Sequence, residues 1–215
     1  MSGVWALLPF KGAEGAKRRL APVLTASERE GLVLAMVRDV LEALTSSASL
    51  AGVLIVSRDP IAQGLAREFD AEVYADNAND LSGAVREASR FAESQHSASG
   101  TLFVPGDVPL IRPDDVEAVL AHHGRVTLVP DARDVGTNAA ASSPPNAFEY
   151  LFDGKSFKPH IASARRAGIE ARIVRRVAFG LDVDTIAELV EVAARSAGTR
   201  TGTFLKASGV RDKLR

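Results

Sequence analysis

Three features, spread over four short segments, carry charged or hydrogen-bonding groups at spacings that suit chemistry on a phosphate. The first runs Lys11-Gly12-Ala13-Glu14-Gly15-Ala16-Lys17-Arg18-Arg19-Leu20. Its two glycines let the backbone turn tightly and approach a ligand. Lys11, Lys17, Arg18 and Arg19 then offer positive charge to a polyphosphate. No Gly-Lys-Ser/Thr follows the first glycine, so this is not a Walker A loop, and it is not a G-x-G-x-x-G turn either. In isolation a solvated basic turn would read the same way.

The second feature is acidic. In Pro105-Gly106-Asp107-Val108-Pro109-Leu110 two prolines restrict the backbone around Asp107, which holds its carboxylate in place at little entropic cost. In Leu181-Asp182-Val183-Asp184-Thr185 the acids alternate with apolar residues, so on an extended segment they point the same way. Like charges on one face repel unless a cation lies between them. Mg²⁺ suits such a place, because it takes one or two carboxylates and completes its octahedron with water and phosphate oxygens. Asp184 could instead cap a helix starting near Thr185, but a cap leaves Asp182 unexplained. The third feature is Gly136-Thr137-Asn138, where a hydroxyl and an amide follow a glycine; these groups suit the oxygens of a small phosphorylated acid, although a plain turn looks similar. Phe157 and His160 lie at helical spacing in Ser156-Phe157-Lys158-Pro159-His160, and a single His there is more often a structural hydrogen-bonder than a catalyst.

The elements that must position these groups alternate. Short apolar runs at 4–8, 52–57, 71–74, 101–104 and 126–129 read as strands. Helical periodicity fills 27–44, 61–69, 81–92 and 113–122, with Thr25 or Ser27 capping the first. After Pro144 the alternation loosens, then resumes with a strand at 171–177 and a helix at 185–195. Strand and helix in turn imply a mostly parallel sheet covered on both faces, with ligands beyond the carboxyl ends of the strands. The segments 9–20, 105–110 and 130–138 are therefore expected as the loops that gather there. One domain over 1–197 is expected, followed by a basic, partly disordered tail at 198–215.

Composition sets the limits. The 215 residues carry a net charge of −1, which argues against a broad nucleic-acid-binding face. The absence of cysteine excludes disulfides, thiolate metal sites and a cysteine nucleophile. The start of the chain reaches Pro9 and Lys11 too soon for a signal peptide, and no apolar run nears the ~20 residues that span a bilayer. A cytoplasmic protein without a membrane partner is the expectation.

Taken in order, several motifs resemble the 2-phospho-L-lactate guanylyltransferase family, which acts in synthesis of the deazaflavin coenzyme F-420. They are Leu8-Pro9-Phe10-Lys11, Ala16-Lys17-Arg18-Arg19-Leu20-Ala21-Pro22, Pro105-Gly106-Asp107-Val108-Pro109, Gly136-Thr137-Asn138-Ala139, Pro144-Pro145, Phe148, Ser156-Phe157 with His160, and Leu181-Asp182-Val183-Asp184-Thr185. The match covers roughly 6–189, and joint order and spacing make it specific. The chain departs from the pattern at Asp153 and Lys155, where glycines are usual, and at Ser82, where asparagine is usual.

The resemblance implies a single-domain α/β, Rossmann-like three-layer sandwich of the nucleotide-diphosphosugar transferase type. It implies GTP as donor and a small phosphorylated carboxylic acid as acceptor: phosphoenolpyruvate, 2-phospho-L-lactate or 3-phospho-D-glycerate. Leu8, Pro9, Lys11, Lys17 and Gly106 are expected at the nucleotide, Thr137, Asn138 and Ser156 at the acceptor, and Asp107, Asp182 and Asp184 on Mg²⁺. Lys17, Arg19 and Asp107 are expected to carry catalysis, and a homodimer is compatible with the family. The rival readings are a transferase of the same fold with another base or acceptor, and a nucleotide-binding domain without turnover.

Overall fold

The computed structural model describes residues 3–214; Met1, Ser2 and Arg215, the ends of the expected domain and tail, lie outside the described residues. The apolar run at the start forms β1 (Val4–Pro9), in the middle of a seven-stranded sheet. β1 pairs in parallel with β2 (Leu50–Val56) on one side and β4 (Gly100–Phe103) on the other, and β3 (Glu72–Tyr74) extends the sheet beyond β2. On the far side β6 (Thr137–Ser142) runs antiparallel to both β4 and β5 (Val126–Pro130), and β7 (Arg172–Ile173) lies parallel to β5 at the edge. The order is β3-β2-β1-β4-β6-β5-β7.

Successive side chains of a strand face opposite sides, so Leu8 and Leu7 enter different cores. Beneath Leu8 lie α1 (Ala26–Thr45), α2 (Ile61–Phe69), α4 (Pro113–Leu120) and α7 (Ile186–Arg195); Leu32, Met36, Val40, Leu65, Val116 and Leu189 meet there at zero or near-zero exposure. Beneath Leu7 lie α3 (Leu81–His96) and α5 (Phe157–Arg166), which supply Val85, Ala88, Phe157 and Ala164. Each fully buried large aliphatic side chain contributes about 1.5–3 kcal/mol, so both helical layers are held mainly by this burial. Thr25 starts α1 with a reciprocal capping box to Glu28.

Three expectations are corrected. Residues 137–142 form a central strand instead of the end of a loop; Thr-Asn-Ala-Ala-Ala-Ser has almost none of the β-branched residues that mark strands, and Ala139, Ala140 and Ala141 are simply small enough for a strand buried on both faces. The strand expected at 171–177 is only Arg172–Ile173, and the chain then turns into α6 (Val177–Gly180). The tail expected as partly disordered forms α8 (Arg200–Ala207) and α9 (Val210–Lys213). Asp39 of α1 anchors it, accepting from the backbone N–H of Arg200 (2.7 Å) and Thr201 (2.8 Å), while Leu205 and Val210 are buried. Among the described residues no helix is long and apolar enough to cross a membrane.

Candidate active site

The carboxyl ends of β1 and β4, and the antiparallel start of β6, bring the first loop, both acidic turns and the Thr137-Asn138 pair to one edge of the sheet. The loop after β1 is pinned to the loop after β2: Gly12 has φ +92° and lies so close to the Asp59 carboxylate that a Cβ would overlap it. Lys17 also adopts a left-handed conformation, φ 51°, unusual for a non-glycine residue. Its ammonium donates to Asp107 Oδ2 at 2.6 Å and Asp184 Oδ1 at 2.8 Å. These two bonds hold the loop against the acidic turns. The turns are themselves joined, because the backbone N–H of Val183 donates to the carbonyl of Asp107 at 3.0 Å.

Charge here is concentrated and partly desolvated. Burial works against the Lys17 ammonium, but Asp107 and then Asp184 outweigh it and raise its pKa. Asp184 feels burial in the upward direction; Lys17, with help from Arg19 and Arg133, overrides it and holds the carboxyl below its ordinary value. Asp182 goes the other way: burial raises its pKa, the charges of Asp107 and Asp184 add to this, and a hydrogen bond from Asn138 only partly offsets it. Asn138 Nδ2 donates to Asp182 Oδ1 at 3.0 Å and to the carbonyl of Phe179 at 2.8 Å, so Asn138 orients Asp182. Thr185, not Asp184, caps α7, in a capping box with Glu188.

Beside Lys17 and Asp107 opens a cavity of about 360 Å³. Pro9, Lys11 and Gly12 form one wall, Val33, Met36 and Val37 of α1 another, and Leu81, Phe103 and Pro105 a third. A mostly apolar pocket with a few polar groups at one end is the usual form of a small-molecule site. Of the residues expected at the nucleotide, Pro9, Lys11, Lys17 and Gly106 line it. Leu8 does not: it has zero exposure and lies in the core under the floor. Gly106 packs so tightly on α1 that a Cβ would come within 2.9 Å of Val37 Cγ2. Gly106→Ala is therefore expected to lose about 1–3 kcal/mol by overpacking, read as a lower denaturant midpoint at unchanged m-value.

The acceptor-side residues fall on two faces of β6. Asn138 faces the acids. Thr137 faces α5, where its hydroxyl meets His160 Nδ1 at 3.0 Å. Ser156 immediately precedes α5, is buried and makes no capping hydrogen bond. The departures are now placed: Ser82 Oγ accepts from the backbone N–H of Phe152 at 2.8 Å, tying α3 to the segment before Ser156, and Asp153 accepts from the backbone N–H of Lys155 in an exposed turn. Sequence reasoning missed Asp131, whose carboxylate takes the N–H groups of Arg133, Val135 and Gly136 and so shapes the loop entering β6. The Asp followed by a glycine five residues on was its only signal. It also missed the cavity walls on α1, where Val33, Met36 and Val37 read simply as the apolar stripe of a core helix.

Burial pushes the His160 imidazole down to about 4. A histidine with a folded pKa below its unfolded value costs stability once the unfolded chain starts to bind the proton. Stability is expected to be intact above about pH 6.5 and to fall as pH drops toward about 4, by roughly 3 kcal/mol in total from this group. His160→Gln should flatten that part of the stability-against-pH curve; an unchanged slope would contradict the assignment.

This fold and site define a nucleotidyltransferase-type architecture, and solved structures agree. A protein described as a nucleotide-diphospho-sugar transferase from Desulfovibrio desulfuricans G20 superposes with a TM-score of 0.80 at 19% identity, covering 100% of this chain and 99% of that one. A nucleotidyl transferase from Methanothermobacter thermautotrophicus gives 0.68 at 16% identity, covering 96% and 100%. The model of the guanylyl transferase CofC-like family matches residues 4–214. Among relatives, a phosphoenolpyruvate guanylyltransferase from Roseiflexus castenholzii is 37% identical over 91% of this chain and 90% of its own length. A 2-phospho-L-lactate guanylyltransferase from Methanothermobacter thermautotrophicus is 32% identical over 94% and 89%. The chain belongs to the guanylyl transferase CofC-like family.

Proposed function

We propose that this protein transfers GMP from GTP to the phosphate of a small phosphorylated carboxylic acid, releasing pyrophosphate, as a step toward a deazaflavin coenzyme. The observation that carries the reading is the Lys17 ammonium shared by Asp107 and Asp184 at the mouth of an apolar cavity. One cation already bridges two carboxylates there, with a third, Asp182, within electrostatic reach. Two hard oxygen donors on a position that already accepts a cation fit Mg²⁺, which takes one or two carboxylates and completes its octahedron with water and phosphate oxygens; among the described residues no three acids are grouped closely enough to hold an ion by themselves. Asp107 and Asp184 would hold it, with Asp182 adding negative charge beside them, and when bound it would supply charge neutralisation on the phosphates.

The chain's own groups do the rest. The cavity takes the nucleoside, with Pro9, Leu81, Phe103 and Met36 excluding water from its faces. An oxygen of the acceptor's phosphate attacks the α-phosphorus, the bond from that phosphorus to the β-bridging oxygen breaks, and pyrophosphate leaves with the electron pair. The attacking oxygen is already ionised near neutral pH, so no general base is required. Lys17 moves from carboxylate to phosphate oxygens as the nucleotide enters, and with Lys11 and Arg19 it stabilises the leaving pyrophosphate. Asn138 keeps Asp182 turned toward the site. Thr137 and Ser156 meet the acceptor.

The test is pyrophosphate release with Mg²⁺ and GTP in the presence of phosphoenolpyruvate, 2-phospho-L-lactate or 3-phospho-D-glycerate. Release with one of the acids, lost when ATP or CTP replaces GTP, is the expected result. Equal turnover of CTP would instead assign the chain to another transferase of the same fold.

A further inference from the structure

His160 has zero exposure, and the rings of Phe148, Tyr150 and Phe152 stand edge-on to it at centroid distances of 5.6, 6.3 and 4.7 Å. Both of its nitrogens are engaged. The backbone N–H of Leu151 donates to Nε2 at 2.8 Å. A backbone N–H is only a donor, so Nε2 must present its lone pair. In a neutral imidazole the proton then sits on Nδ1. Nδ1 lies 3.0 Å from Thr137 Oγ1, and therefore the ring donates and the threonine oxygen accepts.

This fixes what the threonine can do next. A hydroxyl has one hydrogen to give. With His160 supplying a hydrogen to Oγ1, that hydroxyl's own hydrogen has no acceptor in the protein among the described residues. Thr137 is 95% buried and stands first on β6, next to Asn138, whose amide holds Asp182. A nearly buried donor left unspent at that place calls for an incoming oxygen, and an anionic one bonds it most strongly.

We propose that His160 is a positioning residue that fixes Thr137 as a hydrogen-bond donor to an oxygen of the phosphorylated acid. The inference rests on the acceptor reading above, and it adds the group that sets the direction of the hydrogen bond. His160 takes no proton from substrate. It acts through Thr137, and its fixed tautomer makes the threonine reject a ligand that offers a donor at that point. An anionic oxygen takes that hydrogen more strongly than a neutral or esterified one, and a group that presents only a donor leaves it unmatched.

Two measurements on the full chain test this. Nitrogen-15 NMR of histidine-labelled protein should show His160 neutral with the proton on Nδ1 across about pH 5.5 to 8; a proton on Nε2 would overturn the proposal. Steady-state kinetics should show Thr137→Val and His160→Leu each raising KM for the acid roughly ten- to hundredfold, the effect of one hydrogen bond to a charged group, with KM for GTP within about twofold of wild type. His160→Asn, whose amide N–H reproduces the Nδ1 donor, should recover most of the loss. If Asn is as poor as Leu, or if KM for GTP rises in parallel, His160 is only a packing residue. The NMR result and Thr137→Val stand even if His160→Leu fails to fold. A wild-type protein that transfers GMP to none of the acids retires the functional reading, whereas normal transfer with the opposite tautomer retires this inference alone.

Discussion

Asp107→Ala is expected to cut guanylyl transfer about a hundredfold or more while the fold is retained. Removing a carboxylate that would hold the cation neutralising the reacting phosphate costs roughly 3–4 kcal/mol of barrier by analogy with single oxyanion donors, which is a factor of a hundred or more in rate. The position should tolerate the change structurally. Asp107 is partly exposed, its carbonyl remains to accept from Val183, and the truncation leaves no void in either core. The loss should appear in kcat more than in the KM for the acid, because the carboxylate acts where charge is rearranged. Near-normal kcat in a folded variant would remove Asp107 from the chemistry.

Lys17→Met is expected to lose a comparable factor in turnover, with a second signature of its own. The Lys17 ammonium compensates Asp107 and Asp184 together. Without it two neighbouring carboxylates face each other, and like charges disfavour the ionised form. The Asp184 carboxyl, held low chiefly by Lys17, should titrate at higher pH. A divalent cation then relieves more repulsion than it does in wild type, where it must first displace the lysine. Mg²⁺ without nucleotide should therefore raise the thermal midpoint of Lys17→Met more than that of wild type. The opposite order would mean that Lys17 does not occupy the cation position. Met is chosen because it keeps most of the unbranched apolar stem and removes the ammonium.

The strands and helices of the first two-thirds were legible because their apolar runs are short and either stopped by proline, as in Val4–Pro9, or rich in β-branched residues, as in Leu50–Val56. The acids were legible because alternation in Leu181-Asp182-Val183-Asp184 has few structural uses, and the structure brings Asp184 onto the same lysine as Asp107. The loop after β1 was legible as basic, but not its partner: a contact across 90 residues leaves no local pattern. β6 was hidden because an alanine run carries no strand propensity, and its membership in the sheet comes only from pairing with β4 and β5. That error also put Thr137 and Asn138 side by side in a loop, when the pleat sends one to His160 and the other to Asp182. Leu8 was carried to the nucleotide by its place in a motif, although alternation along β1 turns its side chain into the core. The tail looked disordered from its glycines, threonines and charge, and is ordered by a buried Asp39 that sequence alone does not connect to it.

The most direct test of the account follows the acceptor's oxygen. Phosphoenolpyruvate, or whichever acid supports turnover, is labelled with oxygen-18 in its phosphate, incubated with GTP and Mg²⁺, and the products are weighed by mass spectrometry. Attack by the acid's phosphate on the α-phosphorus predicts a GMP–acid adduct that retains all of the label, and pyrophosphate that carries none. Label in the pyrophosphate, or GMP released without an adduct, would contradict guanylyl transfer to the acid.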